Sequence, residues 1–210
     1  MDTVEEAEAY DAMDHSAPNE AFVQRLLDLG ARGRVLDVGC GPGHIALLLV
    51  TARADFEVLG VDLSLQMLRI AGEHRAVSAH AARVRFEKAD AKGLPYADAA
   101  FDTVCSNTIL HHIPDPVPFL RECGRVLKPG GAFLVRDLFR PPTPQAADVL
   151  VRQHAGGETA YAQDLFRASL GAALTQEELH AAARAAGLDG MQVVVDTDRH
   201  MSLQRAARSL

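Results

Sequence analysis

Short apolar runs alternate along the chain with longer amphipathic stretches. Residues 34–39 (RVLDVG), 56–62 (FEVLGVD), 83–90 (RVRFEKAD), 101–107 (FDTVCSN) and 131–139 (GAFLVRDLF) are rich in Val, Leu and Phe and have the length of strands. Residues 43–52, 64–79 and 115–127, lying between them, read as helices. Several of the strand-sized runs are almost wholly apolar, as expected where helices cover both faces of a sheet. The pattern therefore predicts a doubly wound α/β fold whose ligands sit beyond the carboxyl ends of parallel strands.

Local punctuation sets the boundaries. Lys128-Pro129-Gly130-Gly131 has the residues of a type II turn between a helix and a strand, with Gly130 at the position of positive φ. Ser64 is placed to cap the helix that follows it, Thr175 and Glu178 form a capping-box pattern, and Gly187 ends the helix they begin. Nearer the start, Pro18 suits a first helical position, with Phe22, Leu26 and Leu29 on one face. The expected organisation is a single domain over 1–210. It comprises helices in 1–33, a core in 34–139, a helical insert in 140–171 and a closing helix with strands in 172–210. The insert opens on Pro141, Pro142 and Pro144 and reads as two helices broken at Gly156 and Gly157.

Composition narrows the partners. At 210 residues and 48% hydrophobic content, the chain can bury one sizeable core. Its longest apolar runs fall far short of the roughly 20 residues a membrane span needs, and Met1 is followed by acidic residues where a secretory leader would be basic. A cytoplasmic protein without a membrane partner is expected. Cys40, Cys105 and Cys123 are odd in number and widely spaced, which favours neither disulfides nor a zinc site. The net charge of −7 is spread along the chain, and without clustered positive charge a nucleic acid is not the expected partner. A small molecule is.

Gly39, Gly41 and Gly43 follow the first strand and open a helix, so backbone can approach a ligand closely and free N–H groups favour an anionic group. The same glycines would also serve a plain strand-to-helix turn. Asp62 ends the second strand, where a carboxylate can accept from both hydroxyls of a ribose. Asp90 ends the third, where it could read the edge of a nucleobase or simply make a turn. A nicotinamide-binding G-x-G-x-x-G would need glycine at position 44, which is His44.

With G-x-G-x-G, Asp37 inside the first strand, Asp62, Asp90, FDTVCSNTILHHIPDP and FLRECGRVLKPGGAFLV, the chain resembles class I S-adenosylmethionine-dependent methyltransferases. It is similar above all to the small-molecule branch that includes ubiquinone and menaquinone biosynthesis methyltransferases. The resemblance covers residues 34–139 strongly and the tail weakly. It implies a Rossmann-like, mostly parallel sheet with an antiparallel last strand, S-adenosyl-L-methionine as cofactor and S-adenosyl-L-homocysteine as product. By resemblance, Gly39, Cys40, Gly41 and Gly43 wrap the methionine part and Asp37 places its amino group. Asp62 holds the ribose, Leu63 and Met67 flank the adenine, Asp90 and Ala91 bond its amino group, and Asn107 and Thr108 line the sulfonium.

Methyl transfer from a sulfonium asks mainly for alignment and exclusion of water, with no metal. A base helps where the acceptor must lose a proton, and His111 and His112 follow the fourth strand at the edge of the expected site; packing or loop anchoring is the other reading of the pair. Substrate contacts must come from outside the shared core. Tyr10, Met13, His15, Arg140, His154, Tyr161, Phe166 and His200 are the candidates, and the insert is either a lid or a dimer face of a monomeric or homodimeric protein. His200, with Arg199, is expected in the turn between two final strands, 191–198 and MSLQRAA. A cofactor-binding regulatory module, a protein methyltransferase and a nicotinamide oxidoreductase are the competing readings.

Overall fold

The computed structural model describes residues 3–208, so positions 1, 2, 209 and 210 of the expected single unit lie outside it. Its centre is one seven-stranded sheet of order β3-β2-β1-β4-β5-β7-β6. The strands are β1 (Arg34–Val38), β2 (Glu57–Asp62), β3 (Val84–Lys88), β4 (Phe101–Asn107), β5 (Leu127–Leu138), β6 (Gln192–Val195) and β7 (His200–Arg205). All neighbours from β3 to β5 pair in parallel, and β7 runs antiparallel to both β5 and β6. Parallel strands need crossovers, and the helices that supply them cover both faces.

On one face, α2 (Ser16–Asp28) and α3 (His44–Ala52) bury Phe22, Leu26, Ile45 and Leu49 against Val35, Val58, Cys105 and Leu134 of the sheet. On the other, α5 (Pro116–Val126) and α8 (Gln176–Ala185) bury Phe119, Leu120, Cys123 and Leu179 against Leu36, Val104 and Phe133. Period-two alternation along β1 and β5 thus feeds two separate cores, the arrangement that near-continuous apolar strands require. Around this frame α4 (Leu65–Val77) follows β2, and α1 (Val4–Asp11) lies on α4, where Ala7, Met67 and Ile70 form a small buried cluster with Tyr10 beside it. The insert is α6 (Pro144–Ala155) and α7 (Ala160–Ala172), which share a core of Ala147, Val151, Leu170 and Leu138.

Several boundary signals act as their chemistry demands. Ser64 accepts from the Met67 amide, Thr175 and Glu178 close a reciprocal capping box, and Gly187 takes φ +80° just beyond α8. Three boundaries differ. α2 begins at Ser16, putting Pro18 in the third helical position, which the unsatisfied N–H groups of a first turn also tolerate. Gly130 does take positive φ, at +72°. Its turn, however, is a bulge inside β5, because Leu127 already pairs with Phe101 before Ala132 pairs with Thr103. His200 is the first residue of β7, paired with Leu138, and its burial follows from that pairing in the sheet interior.

Replacing Thr175 by Ala removes the N-cap of α8 and should cost about 1 kcal/mol, or roughly 2–4 °C in Tm for a domain of this size. A thermal melt of the variant checks it.

Candidate functional site

The order β2-β1-β4 places the topological reversal between β1 and β4, the position where such sheets leave a crevice beyond their carboxyl ends. The β1 strand delivers Asp37 there, in register with Gly60 of β2 and Cys105 of β4. Asp37 is 1% exposed. Its Oδ1 lies 3.9 Å from the Cys105 thiol and its Oδ2 has no hydrogen-bond partner. Burial first, and the charge of Asp62 second, push its carboxyl up to about 7, against a weaker downward pull from Cys105. A buried carboxylate left half unpaired at a crevice is suited to meeting a cation.

The loop that leaves β1 follows this carboxylate in the chain, close enough for its charge to act on the Cys40 thiol. Gly39, Gly41 and Gly43 take φ of +73°, +52° and +83°, which other residues adopt only under strain. Two of them also answer packing: a Cβ on Gly39 would stand 2.5 Å from Ile109 and one on Gly43 2.5 Å from Phe86. Gly41 has nothing within 4 Å of that position, so its side of the loop is open to a ligand. The Gly39 and Cys40 amides donate to the Val61 carbonyl, tying the loop to β2. The Cys40 and Cys105 thiols are buried and burial, with Asp37 nearby, holds both well up. They are packing groups, not nucleophiles.

Asp62 ends β2, its Oδ2 accepting from the Gly41 amide at 2.9 Å and its Oδ1 from the Ser64 amide at 2.8 Å. Each oxygen keeps a further lone pair, so the carboxylate is oriented without being saturated. Leu63 beside it is 58% exposed, whereas Met67 is buried beneath α1. Asp90 is exposed after β3 and makes a turn, its Oδ1 accepting from the Lys92 amide at 2.9 Å and lying 3.0 Å from the Lys92 ammonium. The Lys92 amide, then its side chain, hold the Asp90 carboxyl below the usual range. Ala91 packs on the edge of the core.

At the end of β4, Asn107 pairs with Arg136 and Thr108 adopts φ +62°, its amide donating to the Arg136 carbonyl. A β-branched residue in that region is strained, and such strain collects at ligand sites. The chain then turns through Leu110–His112. His111 Nδ1 lies 2.7 Å from Asp137 Oδ1, and the His111 amide donates to Asp137 Oδ2 at 3.0 Å, with both side chains 4% exposed. A carboxylate only accepts, so Nδ1 carries a proton, and in a neutral ring this leaves Nε2 the lone pair a base needs. The His112 ring stands 4.0 Å from that of His111, and partial burial, then that neighbour, lower its affinity for a proton. Asp137 escaped the sequence reading because it resembles any polar interruption of a strand. Only its register opposite the turn gives it a role.

The remaining substrate candidates scatter. Tyr10 is largely buried near Asp62, and burial followed by that charge raises its hydroxyl pKa. The His15 ring lies tilted against Tyr10, centroids 4.7 Å apart, while Met13 is half exposed outside α1. Arg140 donates to the Ala173 carbonyl and to Glu178, so it ties the insert to α8. His154 pairs with Asp198 at 2.7 Å and fixes α6 to the β6–β7 turn. Tyr161 is 71% exposed, and Phe166 packs inside the insert. His200 is buried against Arg136 and Arg199, and burial with those two cations pushes it down to about 3. Arg136, missed in the sequence, is 8% exposed with Nε unpartnered, next to His200. The insert does reach the histidine turn, since α7 packs against residues 110–112.

Comparison with known proteins returns methyltransferases and, among solved structures, a cyclase as well. The family model for a methyltransferase domain matches residues 29–187. The 27-O-demethylrifamycin SV methyltransferase of Amycolatopsis mediterranei is 39% identical over 62% of this chain and 50% of its own length. The ubiquinone biosynthesis O-methyltransferase of Xanthomonas oryzae is 32% identical over 75% of this chain and 66% of its own. The chain thus spans about half to two thirds of these two curated relatives. Among solved structures, a SAM-dependent methyltransferase from Aquifex aeolicus superposes with TM-score 0.68 at 19% identity, covering 96% of this chain and 97% of that one. The 4+2 cyclase SpnF superposes at 0.62 with 28% identity, covering 83% and 57%.

Asp37 carries a stability cost that pH exposes. Its folded pKa of about 7 lies above the ordinary 3.8, so the folded state holds the proton more tightly and stability falls as pH rises between those values. Asp37→Asn should therefore raise Tm at about pH 8 and leave it nearly unchanged at about pH 4. Melts at both pH values check this.

Proposed function

Because the chain belongs to the methyltransferase-domain family, we propose that it transfers the methyl group of S-adenosyl-L-methionine to a small-molecule acceptor, releasing S-adenosyl-L-homocysteine. The observation that carries the reading is the unpartnered Asp37 Oδ2 in β1, followed by a loop that is open at Gly41 and tied to Asp62. That cofactor supplies a methyl already activated on a positively charged sulfur.

The protein's own residues bind and orient. Asp37 receives the ammonium of the methionine part, and the spare lone pairs of Asp62 accept the ribose hydroxyls. Gly39, Cys40, Gly41 and Gly43 follow the methionine chain. Leu63, Met67, Asp90 and Ala91 border the adenine. Asn107 and Thr108 border the reacting sulfur. His111, held in one tautomer by Asp137, takes a proton from a hydroxyl or ammonium acceptor at Nε2, and His112 packs on it. The α7 contact with the 110–112 turn supports a lid that excludes water at the acceptor side.

A small acceptor is supported by the names of the rifamycin and ubiquinone relatives, and by the acidic net charge, which disfavours nucleic acid. No helix of the described residues is long and apolar enough to cross a membrane. The three buried, free thiols fit the reducing cytoplasm, to which we assign the protein. The similarity to SpnF favours one second reading, a cycloaddition on this scaffold with no methyl lost.

Mass spectrometry of a phenol, alcohol and amine panel with S-adenosylmethionine tests the reading, the expected result being one added methyl and matched S-adenosylhomocysteine. Asp62→Ala should weaken cofactor affinity about tenfold or more, the worth of hydrogen bonds to a charged group. For a hydroxyl acceptor, His111→Gln should lower kcat by about 10²-fold or more with S-adenosylhomocysteine affinity unchanged. Binding without any methylated product would move the assignment to the second reading.

A further inference from the structure

A group outside the site just described remains unexplained. Asp11 at the end of α1, His44 at the start of α3 and His74 in α4 bring one carboxylate and two imidazoles together, their donor atoms all within 4.8 Å of one another. His44 Nε2 is 2.9 Å from Asp11 Oδ1, and His74 Nε2 is 3.2 Å from Asp11 Oδ2. These spacings are close to the edges of a tetrahedral site, since metal–ligand bonds of about 2.0–2.2 Å put donors about 3.3–3.5 Å apart.

The contacts around the cluster orient its donors. His74 Nδ1 lies 3.0 Å from the Pro42 carbonyl, which only accepts, so Nδ1 carries a proton and Nε2 is the ring nitrogen turned to Asp11. A metal ion at this point would take the Nε2 lone pair of neutral His74 together with a carboxylate oxygen, in place of a proton shared between them. A ligating histidine whose other N–H donates to a backbone carbonyl is the usual outer support of such sites. Asp11 Oδ1, 2.9 Å from His44 Nε2, is a buried atom whose hydrogen-bonding capacity the protein leaves unfilled.

The surroundings suit a cation too. A cavity of about 350 Å³ opens on Asp11 and His44, and is lined as well by Asp14, Glu20 and His15. His15 Nε2 is buried without a hydrogen-bond partner. The carboxylates offset the positive end of α3, and the cavity leaves room for water or a further ligand.

We propose that Asp11, His44 and His74 bind a divalent transition metal of the zinc class, which latches α1 across the glycine loop. Two imidazoles and a carboxylate are a donor set zinc accepts. The three ligands come from three helices, and the Pro42 carbonyl that orients His74 belongs to the loop of Gly39–Gly43 itself. The metal therefore fixes the helix that buries Tyr10 near Asp62, and no catalytic step passes through it.

The test uses the full chain, stripped with a chelator and freed of any tag, then titrated with zinc chloride against a chromophoric competitor. One equivalent is expected to bind, with affinity falling at least tenfold in Asp11→Asn and in His74→Gln. The control His180→Gln, on the exposed face of α8, should bind as the parent does. Circular dichroism and melts without zinc confirm that the variants fold, and Co²⁺ in place of zinc should give the visible bands of a four- or five-coordinate site. Zinc should also slow amide exchange in residues 4–11 at least tenfold. Equal affinity in the parent and in both ligand variants would mean adventitious binding and overturn the site. Unchanged exchange in α1 with one equivalent bound would overturn the latch.

Discussion

Two carboxylates at the ends of neighbouring parallel strands organise this molecule. Asp37 and Asp62 leave β1 and β2 within reach of one another's field, and the first is buried deeply enough that its ionisation is opposed. An ordinary core would replace Asp37 by an apolar residue and gain stability. Here the sheet order, the glycine loop and the thiol of Cys105 all converge on it. The fold bears a polar group at the one place where its crevice opens, which makes sense if a cationic ligand completes the pairing.

The glycine loop shows how packing and binding share the same residues. Ile109 and Phe86 occupy the space where side chains on Gly39 and Gly43 would go, so those two glycines are explained within the protein. Gly41 is different, because its conformation is strained for other residues while its surroundings are open. On the acceptor side, β5 delivers Asp137 opposite the turn that carries His111, and the insert leans on that turn. The proposed function thus assigns cofactor and acceptor to the two halves of one sheet, meeting at β4.

Much of this was legible in the chain. Strand-sized apolar runs, Ser64, the Thr175–Glu178 box and Gly187 are local signals and mark local structure. What resisted reading depends on register and on distant packing. The five residues from Leu127 to Gly131 look like a helix-to-strand turn until Leu127 is seen paired with Phe101. His200 reads as a turn residue because so little chain remains after it, yet antiparallel pairing with Leu138 puts it inside. Asp137 and Arg136 are ordinary strand polars in sequence, and Asp11, His44 and His74 share no spacing that announces a common site. Among the substrate candidates, Arg140 and His154 were charged or titratable residues in the right segment whose partners turn out to be protein.

The claim on which the account rests is that the crevice beside Asp37 receives a cationic nucleoside. Calorimetric titration with S-adenosylmethionine near pH 7, in two buffers of different ionisation enthalpy, addresses it directly. A cation next to Asp37 favours its ionised form, so binding should release a proton, visible as a buffer-dependent heat, and the heat should lose that dependence in Asp37→Asn. Binding that is absent, or that releases no proton in the parent protein, would contradict the account.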